Sequence, residues 1–306
     1  MLERYILTTT GPQATTSPLI EANLIMLVKP SVDEISQVCD TFDLEKLTFK
    51  FHSSPEEVSR FHTTTSTVMN NPQLLVVYDF VPELATIEQQ LTPVIIVFDS
   101  QRAIICTDNR AIKANDFPAN NVTSFIIAYL DQCQDNLSTA LMSYKPEIDK
   151  LDKVARTTIN NACLRKLTDL TRHIVFFYHT MNDQGETLDA FLKSPTIADI
   201  SQESRLNIQI QQRRLNKAIH IFRDLLDSIG SLFTAMMDSN LNNLMKFLDS
   251  AGIVIAVAAL ISGFMGMNVG GLPWKSAGYG FAMIIGLTAI VTIILALYLR
   301  KKKYLK

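Results

Sequence analysis

Apolar positions change rhythm along this chain, and each change marks a different kind of element. Up to about residue 120 they come in short runs, at 5–7, 23–28, 74–78, 94–98 and 103–107, several bounded by Pro, Asp or Asn. Short apolar runs between turn residues predict strands, and Asp99-Ser100-Gln101-Arg102 between the last two predicts a hairpin loop. Ser31-Val32-Asp33-Glu34 and Ser54-Pro55-Glu56-Glu57 read as helix starts: a hydroxyl cap, acids in the first turn and, in the second, an early proline. Residues 1–120 are therefore expected to form an α/β domain, a sheet with helices.

From residue 121 the spacing becomes helical. Leu137, Leu141, Ile148, Leu151, Ile159, Leu167 and Leu170 recur by threes, fours and sevens, which predicts a helical hairpin over 121–195. The polar stretch Met181-Asn182-Asp183-Gln184-Gly185-Glu186 reads as a helix tip. After Ser194-Pro195 no proline occurs until Pro273, so one helix of about 70 residues is expected between 196 and 267. Its first part, 196–246, carries a heptad: Ile208, Leu215, Phe222, Ile229 and Met236, with Ile219, Leu226 and Phe233 each four residues after a member. A seven-residue repeat sustained this long favours several parallel helices packed together, the alternative being a helix laid on its own domain.

The end of the chain holds two predominantly apolar runs. Residues 247–267 and 281–299 each supply about 20 residues, enough at about 1.5 Å per residue to cross a hydrocarbon core of about 30 Å. A short link, 268–280, joins them, and a basic tail, 300–306, follows the second. The link carries a single cation, Lys275, against five in the tail. The excess of cations beside the second span places the C-terminus, and with two spans also the N-terminus, on the cytoplasmic side of a cell membrane.

Charge reinforces the division. The net charge of −2 over 306 residues conceals −8 on residues 1–195 and +6 on the remainder, an acidic cytosolic body that concentrates cations and a basic membrane-proximal part. Cys39, Cys106, Cys133 and Cys163 form no CxxC pair and suit a reducing compartment. Glu3 interrupts the start of the chain where a leader would need apolar residues, so insertion is expected to use the C-terminal spans. His52, His62, His173, His179 and His220 are dispersed, and no HExxH, GxSxG or GxxxxGK occurs, which argues against an enzyme or an ATP-driven motor.

The segment from Asn242-Asn243-Leu244-Met245-Lys246-Phe247-Leu248 through Gly263-Phe264-Met265-Gly266-Met267-Asn268 resembles the CorA family of divalent-metal transporters. The family hallmark is Gly-Met-Asn at the outer end of the first of two C-terminal spans. The resemblance covers about the last 70 residues well, and implies a funnel-shaped homopentamer in which the long helices line a central pore. It further implies a selectivity motif at Gly266, Met267 and Asn268, a polar pore ring at Asn242, and a hydrophobic gate at Met245 and Leu248. The partners it implies are the lipid bilayer, four further copies and divalent cations, with no nucleic acid and no cofactor beyond the transported Mg2+.

Elementary chemistry agrees with several of these roles. Mg2+ dehydrates reluctantly, so an amide oxygen such as that of Asn268 suits a hydrated ion; the same residue also suits a helix C-cap. Gly252, Ala256, Ala259 and Gly263 make a stripe of small residues that either lets helices pack closely or leaves room for a hydrated cation as pore-lining residues. Asp249, a costly acid near a membrane boundary, is expected either to attract cations or, the favoured alternative, to pair with Lys246 one turn back. Residues 269–280 hold no acid, whereas many magnesium-type members carry one there, and the acid-poor Gly-Gly link is similar to the ZntB-like branch. The family's stalk acid maps to Ser231, with Asp224, Asp227 and Asp238 nearby. The expected function is divalent cation influx, Mg2+ first and Co2+ or Ni2+ besides, driven by the membrane potential. The alternatives are a ZntB-like Zn2+ transporter, proton-coupled, and a membrane-tethered scaffold that transports nothing.

Overall fold

Seven strands make one sheet: β1 (Leu2–Thr8), β2 (Gly11–Ala14), β3 (Leu24–Val28), β4 (Arg60–Thr63), β5 (Gln73–Phe80), β6 (Leu91–Phe98) and β7 (Ala103–Thr107). Seven helices accompany them: α1 (Val32–Phe42), α2 (Ile87–Gln90), α3 (Val122–Ser143), α4 (Lys145–Ala155), α5 (Asn161–Leu192), α6 (Gln202–Met265) and α7 (Gly280–Lys301). The computed structural model describes residues 1–156, 160–197, 200–267 and 278–302, and these counts refer to them. The chain divides into two units, Met1–Ile229 and Gly230–Lys306.

The sheet order is β2-β1-β3-β7-β6-β5-β4, with β3 and β7 parallel and the other neighbours antiparallel. Its central strands are buried on both faces, which is why they read as unbroken apolar runs. Leu24 and Met26 of β3 join Phe125, Tyr129, Cys133, Leu188 and Phe191 of α3 and α5 on one side. Ile25 and Leu27 join Val38, Cys39 and Phe42 of α1 on the other. The two strands that the apolar pattern misses, β2 with sequence GPQA and β4 with RFHT, are the edges. An edge strand is held by a single ladder and needs no apolar run.

Local chemistry explains where helices begin. The Ser31 hydroxyl accepts from the Glu34 amide at 3.2 Å, and the Glu34 carboxylate accepts from the Ser31 amide at 2.9 Å, the reciprocal pair that starts α1. The second expected start, at Ser54-Pro55-Glu56-Glu57, is not a helix but a turn leading into β4. There Glu57 is buried, pairs with Arg60 and accepts from the Val58 amide, so its carboxylate holds the loop instead of a first turn.

Residues 121–195 hold three helices, with Pro146 in the first turn of α4, where its missing N–H costs nothing. The polar stretch 181–186 is not a tip but lies inside α5. Tertiary packing supplies the reason. β4 pairs with β5 only from Gln73 to Val76, so the Tyr78 amide lies past the end of its neighbour. The Gln184 side-chain oxygen takes that amide at 2.7 Å in the interior. Gln212 of α6 then donates to the Met181 carbonyl at 2.9 Å, and Gln134 of α3 donates to the Ile208 carbonyl at 3.2 Å. Gly185 faces α6, where a Cβ would meet the Asn216 side chain at an ordinary 3.5 Å.

A second buried polar centre joins β5 to α3. Asp79, fully buried, accepts from Asn109 at 2.5 Å, from Asn136 at 2.8 Å and from the Phe80 amide at 2.8 Å. Burial raises its carboxyl pKa, and these three hydrogen bonds oppose the rise.

The 64-residue α6 realises the long helix expected after Pro195. Its heptad is used differently from the expectation of parallel helices. Ile208, Leu215, Ile219, Phe222, Leu226 and Ile229 are already buried in the single chain. Arg223 lies over the Tyr178 ring of α5 at 4.9 Å and His220 meets the same ring at 5.4 Å. This face is therefore occupied by the helix's own unit, and a repeat of seven cannot by itself say which partner fills it.

Candidate functional site

Two helices, α6 and α7, contain segments long and apolar enough to cross a membrane. In the unit Gly230–Lys306 their large apolar side chains are largely uncovered: Leu244, Ile255, Leu260, Phe264, Phe281 and Ile294 are all exposed. Such a surface requires lipid or further protein around it.

The faces of α6 are not equivalent. At about 100° per residue, Asn242, Leu248, Gly252, Ala256, Ala259 and Gly263 all lie within about 60° of Met245 around the helix. All seven positions are exposed, Met245 and Leu248 at 55% and 57%. A Cβ built on Gly252 or Gly263 meets nothing within 4 Å. The half-buried positions, Ala251, Val254, Val257, Ala258, Ile261 and Met265, fall on the opposite side. α7 carries a half-buried line of its own at Ile284, Thr288, Val291, Leu295 and Leu299. The face bearing the candidate ring, gate and small residues is thus the one left open.

The helix ends where the motif begins. α6 stops at Met265, the Gly266 amide donates to the Ser262 carbonyl at 2.9 Å, and the Met267 amide to that of Phe264 at 3.3 Å. A Cβ on Gly266 would stand 3.2 Å from the Ser262 oxygen, so a side chain here crowds the exit turn. Asn268, the proposed cation-facing amide, and most of the link lie outside the described residues.

The expected pairing of Asp249 with Lys246 is not made. The ion pairs among the described residues do not include it. Instead the buried Ser250 hydroxyl donates to the Lys246 carbonyl at 2.7 Å, and the Asp249 carboxylate points outward. Among the described residues no group of three His, Cys, Asp or Glu side chains is placed to hold a metal within one chain.

Of the buried glutamines, Gln134 is not singled out by the sequence pattern, Gln184 falls in the polar stretch read as a helix tip, and Gln212, expected with Gln209, Gln211, Arg213 and Arg214 on a solvated side, is instead buried. The signal they share is polarity at positions where an apolar residue fits the helical period.

The family described as CorA-like Mg2+ transporter protein matches residues 23–301. A magnesium transport protein CorA from Helicobacter pylori is 24% identical over 263 residues, spanning 83% of this chain and 75% of that one. The complete structure of the CorA magnesium transporter from Methanocaldococcus jannaschii has a TM-score of 0.79 at 14% identity, covering 98% of this chain and 97% of that one. The ZntB cytoplasmic domain from Vibrio parahaemolyticus has a TM-score of 0.63 at 10% identity, covering 78% and 98%. The two structural likenesses establish the fold.

Proposed function

The chain belongs to the CorA family, and from that membership we propose that it moves divalent metal cations across a membrane, Mg2+ first, through a pore shared by identical copies. One observation carries the reading: the residues Asn242, Met245, Gly252, Ala256, Ala259 and Gly263 share a single exposed face of α6, opposite the half-buried one. Assembled in a ring, as the resemblance implies for five copies, these faces converge on one axis. Small residues then leave width for a cation with its waters, Asn242 offers an amide oxygen, and Met245 with Leu248 forms an apolar constriction that closes by dewetting.

No fuel is needed in this scheme. An inside-negative potential supplies about 2.3 kcal/mol per elementary charge per 100 mV, hence about 4.6 kcal/mol for a divalent ion entering the cytoplasm. The basic tail beginning at Arg300 supports cytoplasmic termini. Gly266-Met267-Asn268 then lies at the outer mouth.

A second reading keeps the pore and changes the cargo. The link from Val269 to Gly280 is free of acids, which favours a ZntB-like Zn2+ transporter with coupled proton movement. The two readings separate in one preparation. Purified full-length protein in liposomes is given Mg2+ or Zn2+ under an inside-negative potential, with a metal dye and a pH dye inside. Mg2+ entry without a pH change, abolished by Asn268→Ala, supports the first. Zn2+ entry with proton movement and no Mg2+ entry replaces it with the second, a parent protein that passes neither metal removes the pore reading, and an Asn268→Ala protein with all flux intact removes Asn268 from it.

A further inference from the structure

From Phe247 to Leu299 the chain has two charged residues, Asp249 and Lys275. Lys275 lies in the link; Asp249 lies on α6, three residues inside the apolar run. An acid in that place is tolerated where it meets water or a partner charge, and among the described residues no ion pair reaches it. Its direction is informative. Asp249 stands about 40° around the helix from Met245, and so does not depart from the face that holds Asn242, Gly252, Ala256 and Gly263. It stands about 160° from Phe247, a side chain at almost the same depth. The half-buried line of α6 is on the Phe247 side, so neither α7 nor the helix's own backbone covers the carboxylate.

We infer that Asp249 faces the water-filled path and is the charge-selecting residue at the cytosolic end of the span. The inference rests on the transport reading above. With one carboxylate from each copy around a shared axis, the narrow entrance beyond Met245 and Leu248 carries several negative charges in low-dielectric surroundings. Such an entrance raises the local concentration of cations, more for divalent than for monovalent ones, and repels anions. Asp238 lies about 20° from the Met245 direction, and Asn242 precedes the constriction on the same face, so oxygen-bearing side chains flank the apolar ring on both sides. The carboxylate needs no direct coordination of the metal; it acts on the hydrated ion.

The test uses the full chain with two readouts. In liposomes, Asp249→Asn is expected to raise the half-saturating Mg2+ concentration about tenfold and to admit K+ more readily, while Asp249→Glu stays near the parent. The second readout is accessibility. Cys39, Cys106 and Cys133 are buried and Cys163 is partly exposed, so Cys163→Ser supplies the background. Into it go Asp249→Cys and, separately, Phe247→Cys. A charged, membrane-impermeant thiosulfonate is expected to modify position 249 at least tenfold faster than position 247, the latter being shielded by lipid or α7. An Asp249→Asn protein with parental Mg2+ dependence and parental preference over K+ overturns the inference while leaving transport intact. Equal labelling at 247 and 249 overturns it without any flux measurement. A parent protein that passes no divalent cation defeats the transport reading instead, and the labelling ratio still decides which way Asp249 faces.

Discussion

Gln184→Leu is the sharpest test of how α5 came to run through a polar stretch. The substitution keeps helix propensity and volume, and removes the oxygen that receives the Tyr78 amide at 2.7 Å. Because β4 ends its pairing at Val76, no strand is available to take that donor. A buried N–H left without a partner costs about 1–3 kcal/mol. The weaker bond from Gln184 to Gln212 at 3.4 Å adds about 0.5 kcal/mol, and the extra apolar surface of leucine returns about 1 kcal/mol. The net loss is about 0.5–2.5 kcal/mol, a fall in Tm of about 2–8 °C for a unit of this size. Thermal melts of the full-length protein in detergent measure it, and hydrogen exchange over β5 localises it: the Tyr78 amide is expected to exchange faster while Leu75 and Val76 keep their protection. A variant that melts within about 1 °C of the parent, with unchanged exchange at Tyr78, would refute the argument that Gln184 stands in for a missing strand.

Three smaller predictions follow from the same packing. Gly185→Ala is expected to raise stability by about 1 kcal/mol, because it improves a helix interior and its Cβ meets Asn216 and Gln212 at ordinary separations of 3.5 and 3.8 Å; Gly185→Val, which cannot avoid those side chains, is expected to lower it in the same melt. Ser31→Ala removes one half of the reciprocal cap of α1 and is expected to cost about 1 kcal/mol, read as a lower Tm and faster exchange in 32–36. His173, packed against Tyr144 at 5.2 Å, has its pKa lowered by burial from the ordinary 6.5. The unfolded chain therefore binds that proton more readily, so the stability His173 contributes is complete above pH 6.5 and is lost as the pH falls through 6.5 toward the folded value. His173→Phe is expected to flatten this part of the stability profile between pH 7.5 and 5 by about half or more, measured by melts at each pH.

Much of the architecture was legible because its causes are local. Five central strands announced themselves as apolar runs, Ser31 and Glu34 wrote the start of α1, and the absence of proline between 195 and 273 foretold a single long helix and the first of two apolar segments. Gly266 at the end of α6 is also a local matter, a residue whose added Cβ would crowd the preceding turn. What the periodicity did not reveal depends on neighbours distant in the chain. β2 and β4 are strands only because β1 and β5 offer free edges. Residues 181–186 remain helical because an amide 106 positions earlier needs an acceptor. The heptad of α6 marked a buried face correctly, but its burial against the helix's own unit is a fact of tertiary packing. Asp249 shows the same division: its charge inside an apolar run is visible to any reader of the sequence, while its freedom from Lys246 and its place on the open face required coordinates. Periodicity records that a side is to be covered; only three-dimensional packing decides by what.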